Sequence, residues 1–141
     1  MRHEADQRHS GIIVCTVGLG ESKVRAKVPG QKVSEQEADD EKLPAREIKL
    51  YRAPVARANY LIQDRSGVQF SVKELARDMS SPTQKSMRGL TKKGRYFKTH
   101  SRSRHLYQRQ DCPEELTIGT GTDYAGCKKS RKSTSGGAVA R

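Results

Sequence analysis

The chain reads as an α+β protein on three observations. Three helix-length apolar patterns follow one another between Tyr51 and His100, two short β-like stretches come after His105, and an aperiodic polar run separates the helices from the N-terminus.

Taken in order, residues 3–17 show helical spacing in Ala5, His9, Ile12, Ile13 and Val17, weakened by Gly11 and β-branched Thr16 and ended by Gly18 or Gly20. Residues 21–46 shift to Lys, Glu, Asp, Gln, Ser and Pro and carry the acidic cluster Glu35, Glu37, Asp39, Asp40 and Glu41, the composition of a disordered solvated linker. Tyr51, Val55, Ala58 and Ile62 keep helical spacing. Because a proline disfavours the α region for the residue before it, a regular helix is expected to start at Pro54 and to stop at a turn over Gln63–Gly67. Val68, Val72, Leu75, Ala76 and Met79 then line one stripe, with Lys73, Glu74, Arg77 and Asp78 off it. Ser80–Thr83 break that helix and start the next, since proline in a first turn needs no N–H and a hydroxyl can cap. The third helix runs from about Gln84 to Lys98 on Met87, Leu90, Gly94 and Phe97. His105–Gln108 and Leu116–Thr120 are the β candidates; in the second, Leu116 and Ile118 share one face and Thr117, Gly119, Gly121 and Asp123 the other. Disorder is expected after about Lys128.

A 141-residue chain that is 33% hydrophobic and 31% charged, has no Trp and has a mean hydropathy of −0.88 predicts a small core with loose flanks. Of the net +12, residues 79–141 carry +10, and no acidic residue falls between Asp78 and Asp111. Lys85, Arg88, Lys92, Lys93, Arg95, Lys98, Arg102, Arg104 and Arg109 lie in that gap, the field expected of a phosphate-contacting surface or, alternatively, of a solvated helix face. Cys15, Cys112 and Cys127 have no C-x-x-C spacing and do not pair with His3, His9, His100 or His105 at zinc-finger intervals, which predicts reduced thiols in an intracellular protein. The N-terminus has no basic-then-apolar leader, and Ile12–Cys15 is too short an apolar run to span a membrane.

Two stretches resemble a known family. YRAPVARANYLIQDRSGVQFSVKELARDMSSPT, followed by LTKKGRYFK, is similar to the segment joining reverse transcriptase to ribonuclease H in Pol polyproteins of copia-type retrotransposons. LTIGTGTDYAGCKKSRKSTSGG resembles the opening of their ribonuclease H domain through Asp123, Tyr124, Ala125, Gly126, Arg131, Ser133, Thr134, Ser135 and Gly136. EADQRHSGIIV is similar to a helix near the polymerase thumb, with Gly11 where that branch has Glu. There are further departures: Lys93 stands where Leu is usual, Met87 where Trp is, and Ser66-Gly67 where Pro-Asp is.

The resemblance implies four segments: a thumb-helix remnant over 1–20, a polar linker over 21–46, a helical connection over 47–100, and the truncated start of a ribonuclease H-like sheet over 101–141. It also implies two-metal cleavage of the RNA strand of a hybrid, with clustered carboxylates holding Mg²⁺. Here Gly121 replaces the family's first metal-binding Asp, Asp123 matches the second and is the one weak metal candidate, and no Y-x-D-D polymerase motif occurs. The leading expectation is therefore an inactive Pol fragment with residual, sequence-indifferent binding of RNA, DNA or RNA/DNA hybrid. The contacts would come from Lys85, Arg88, Lys92, Arg95 and Lys98 on the third helix and from Lys128, Lys129, Arg131 and Lys132 in the tail. No cofactor, small-molecule substrate or membrane partner is expected, and Mg²⁺ only if nuclease activity persists. The alternatives are a standalone basic helical module that binds RNA or DNA, and a residual metal-dependent ribonuclease.

Overall fold

A computed structural model describes residues 2–29, 41–109, 115–126 and 131–140. The fold is mixed α+β, and the chain divides into two compact units, Arg2–Leu106 and the part from Tyr107 onward.

Among the described residues, the first unit holds four α-helices and a small ribbon. Its elements are β1 (Arg2–Glu4), α1 (Gln7–Thr16), α2 (Ala45–Leu61), a 3₁₀ turn at Ser66–Val68, α3 (Gln69–Arg77), α4 (Gln84–Thr99) and β2 (Arg104–Leu106). The apolar stripes meet in two clusters. Ile13, Val14, Leu19, Ala58, Leu61, Val68, Val72 and Phe97 form one, and Leu43, Tyr51, Val55, Leu75 and Leu90 the other. Burying such side chains is worth roughly 1.5–3 kcal/mol each.

The helices are closed by side chains as well as by packing. Thr83 caps α4 in a reciprocal box with Ser86, whose hydroxyl also donates to Asp78 Oδ2 at 2.7 Å. The Tyr51 hydroxyl donates to Leu75 O at 2.7 Å, and Arg52 donates to Met79 O at 2.7 Å and Ser80 O at 3.1 Å, so adjacent residues of α2 cover the carbonyl end of α3. Burial raises the Tyr51 phenol well above its usual range.

Several boundaries differ from the sequence expectation. α2 begins at Ala45 and runs through Pro54, which lies fully buried inside it. An internal proline costs about 3 kcal/mol, but starting the helix there would leave Tyr51, which is wholly buried and caps α3, outside it. The end of the expected linker is also part of the fold. Leu43 is buried, Lys42 bridges Thr83, Leu43 N–H donates to Pro82 O at 3.0 Å, and Gln84 N–H donates to Glu41 O at 3.0 Å. Glu35, Glu37, Asp39 and Asp40 lie outside the described residues.

At the N-terminus, β1 replaces the start of the expected helix. Asp6 accepts the Arg8 N–H at 2.8 Å and so fixes the first turn of α1 behind it. Ile12 is 44% exposed whereas Val14 is buried, so the stripe of α1 is rotated from the expected one. β1 pairs antiparallel with β2, His3 opposite His105, and Glu4 takes Arg102 at 2.7 and 3.1 Å and Arg104 at 3.2 Å. The Arg102 hydrogen bonds, with help from Gln7 and Arg104, hold the Glu4 carboxyl down at about 2. His3 Nε2 meets Asp64 Oδ1 at 3.0 Å and His105 Nε2 meets Asp64 O at 3.1 Å, so the ribbon rests on the turn that follows α2.

The second unit is an antiparallel hairpin of β3 (Thr117–Asp123) and β4 (Thr134–Ala140), in register from Thr117 opposite Ala140 to Asp123 opposite Thr134. β4 is a correction, because disorder was expected after about Lys128; its seven residues give β3 a partner of equal length. Residues 127–130, which include Lys128 and Lys129, lie outside the described residues. Among the described residues, no helix is long and apolar enough to cross a membrane.

Candidate nucleic-acid interface

α4 carries the basic stripe. Lys85, Arg88, Lys92 and Arg95 recur at intervals of three, four and three, away from the buried line of Ser86, Leu90, Lys93, Gly94 and Phe97. No residue of α4 is fully exposed, and the Nε atoms of Arg88 and Arg95 are buried, so their stems lie along the protein. Lys85, Arg88 and Lys92 each already engage in a polar or electrostatic contact.

Two lysines of the helix turn inward instead. Lys98 Nζ donates to Leu19 O at 3.0 Å, to Gly20 O and to Ser22 O at 2.8 Å. Its charge is spent on the carbonyls that follow α1. Lys93, 3% exposed, donates to Pro29 O and lies 6.0 Å from the Tyr96 ring centre; burial pushes its ammonium down to about 8. Residues 19–29 thus form a strap pinned to α4 at both ends. The close approach explains Gly94, where a Cβ would come within 2.7 Å of Leu19 Cδ1.

Arg65 closes the C-terminal end of α4. It donates to His100 O at 2.8 Å and to Ser101 O, and its guanidinium sits 5.8 Å from the Phe97 ring centre. Burial lowers its pKa from the usual arginine value.

The tail residues Arg131 and Lys132 are exposed and precede β4 in the second unit, with Arg131 in the left-handed region at φ 55°. Gly121 lies opposite Gly136, and Asp123 Oδ1 accepts the Thr134 N–H. A side chain at Gly126 would collide with that carboxylate, and Ala125 N–H donates to Ser133 Oγ at 3.1 Å. Asp123, Ala125, Gly126, Ser133 and Thr134 therefore build the hairpin's closed end. These residues do not fit the two-metal site that the resemblance implies. Gly121 offers no ligand, the Asp123 carboxylate is occupied by a backbone N–H, and the described residues contain no group of three or more His, Cys, Asp or Glu set to hold a metal.

A second surface was not evident from the sequence pattern alone. On α1 and α2, His9, Ala53, Ala56, Arg57 and Tyr60 line a groove of about 330 Å³. Arg57 Nη1 lies 3.3 Å from His9 Nδ1, and the His9 and Tyr60 rings are 5.2 Å apart at 55°. The signal was present, because Tyr60 falls on the side of α2 opposite Tyr51, Val55 and Ala58, where an aromatic ring has no core to enter.

The fold and these surfaces define a small α+β protein with a basic helical unit. No protein-family model matches the chain, and neither a curated protein nor a solved structure is significantly similar to it.

Proposed function

We propose that the chain is a catalytically inactive piece of a copia-type Pol polyprotein, an intracellular protein that binds RNA, DNA or RNA/DNA hybrid through phosphates and without sequence preference. The observation that carries the reading is the α4 stripe. Once Lys93 and Lys98 are discounted, Lys85, Arg88, Lys92 and Arg95 still share one side of a helix that has no acidic residue. Arg131, Lys132, Lys128 and Lys129 add charge from the tail.

Fluorescence anisotropy with a labelled hybrid duplex tests this. Binding is expected at about micromolar or weaker, falling steeply with salt as counterions are released. The triple change Arg88→Glu, Lys92→Glu, Arg95→Glu should abolish it. Affinity indifferent to salt, or surviving that variant, would reduce the stripe to solvated surface. No cleavage of the RNA strand is expected with Mg²⁺ or Mn²⁺, and Gly121→Asp should not restore any. A Mg²⁺-dependent cut that vanishes in Asp123→Asn would instead establish a nuclease.

A standalone helical module is the second reading, favoured by the two hydrophobic clusters closing entirely within Arg2–Leu106. It holds if neutralising Lys128, Lys129, Arg131 and Lys132 together leaves duplex affinity unchanged while the α4 variant removes it.

A further inference from the structure

We infer that the groove between α1 and α2 is a binding site for an unpaired nucleobase and its phosphate, so that the chain reads single-stranded nucleic acid with residues outside α4. This rests on the nucleic-acid reading above, but on different residues.

The chemistry of the groove selects the ligand. Its floor is Ala53 and Ala56, both exposed and small enough to leave room for a flat group. Its wall is Tyr60, 61% exposed, and because His9 is tilted against that ring rather than stacked on it, a face of the ring stays open. An open tyrosine face beside small residues suits a planar π-system, and stacking tolerates any base. Arg57 is held in place at the rim. A guanidinium can only donate, so His9 Nδ1 accepts from it and the imidazole N–H at Nε2 is left as a donor for a base edge.

Charge settles which planar ligand fits. From Ile48 to Gln63 there is no acidic residue. Exposed Arg46 and Lys49 continue the cationic surface along α2 from Arg57, and Lys49 to Tyr60 spans about 16 Å of helix. An aromatic platform with a run of cations on one side matches a strand that carries a phosphate beside each base.

The test uses the full chain with two labelled probes of equal charge, a thymidine 12-mer and an abasic 12-mer. The wild type should prefer the thymidine strand. Tyr60→Ala should lower that affinity about tenfold, within the range known for loss of one base stack, and leave the abasic affinity unchanged, while Tyr60→Phe retains the preference. Ala56→Leu, which fills the floor without altering charge, should also erase it. If Tyr60→Ala weakens both strands equally, or neither, the base site is refuted. Tyr60-dependent binding of a glutamate–tyrosine copolypeptide in preference to thymidine would refute it too, by assigning the groove to an acidic protein segment. The Arg88→Glu, Lys92→Glu, Arg95→Glu variant separates the two readings. Unchanged binding in that variant, with the Tyr60 effect intact, would overturn the α4 interface and leave the groove standing; a lost Tyr60 effect with the α4 effect intact would do the reverse.

Discussion

The helical unit and the hairpin use their polar residues in opposite ways. In the helical unit, Tyr51, Arg52, Arg65, Lys93 and Lys98 reach across and donate to backbone carbonyls of other segments, so long polar side chains close the loops around a buried core. In the hairpin every residue of β3 is exposed, and side-chain hydrogen bonds gather at the closed end, where Asp123 accepts from Thr134 and Ser133 from Ala125. A cation counted in a sequence is thus no measure of a cation offered to a ligand. In a packed unit, hydrogen-bonding demand at helix ends competes for it.

The largest effect should come from the core. Phe97 is fully buried in the first cluster, with the Arg65 guanidinium beside its ring. Phe97→Ala should cost about 3–5 kcal/mol and unfold the first unit. Ile118, 67% exposed in β3, should tolerate alanine within about 0.5 kcal/mol. Urea denaturation with amide exchange reads both variants. Comparable losses in the two would break the distinction between a cored unit and a bare ribbon.

Lys93 sharpens the contrast by pH. Its ammonium falls from 10.5 to about 8 in the folded chain, so between those values the unfolded chain holds more protons and stability should rise with pH. The shift converts to at most about 3 kcal/mol and, discounted for screening by nearby water, to roughly 1–2 kcal/mol. Tyr51 works the other way above pH 10, since its raised pKa keeps the folded phenol protonated while the unfolded one ionises. The clean window is therefore pH 7.5–9.5. Lys93→Met should flatten the rise and stabilise the unit by about 1 kcal/mol near neutrality. A flat wild-type profile, or a strongly destabilised variant, would show that the charge is well solvated under the strap.

What was legible follows from the same physics. The 3.6-residue period identified α3 and α4 and placed Val72, Leu75, Leu90 and Phe97 correctly, because an apolar stripe has nowhere else to go. Pro54 misled, since local backbone preference signals a helix start and only tertiary burial reveals a helix running through it. The strap was illegible. Lys93 lies at the edge of the apolar stripe and Lys98 among the cations, and nothing local says that the carbonyls of Leu19 and Pro29 will sit above them. β2 was readable as a strand, but its partner was not, because β1 is three residues long and about a hundred positions away. In the candidate site, the spacing of Lys85, Arg88, Lys92 and Arg95 was readable, whereas the groove depended on α1 lying against α2.

The smallest expected effect lies at the hairpin's closed end, where backbone rather than burial holds the fold. Ala125 sits at φ 51°, a left-handed conformation that costs an L-residue with a Cβ roughly 1–2 kcal/mol. Ala125→Gly removes that strain but adds freedom to the unfolded chain, worth about 0.5–1 kcal/mol. The net gain should be modest, about 0.5 kcal/mol, and confined to β3 and β4. Its neighbour gives the opposite sign. Gly126→Ala drives a methyl group into the Asp123 carboxylate and should loosen the Thr134 N–H held there. Amide exchange along 117–123 and 134–140 measures both changes without involving the helical core. If Ala125→Gly lowers protection, the closed end is held by contacts of the Ala125 methyl group rather than limited by its backbone. The hairpin would then be a packed element after all, and its contrast with the helical unit would narrow.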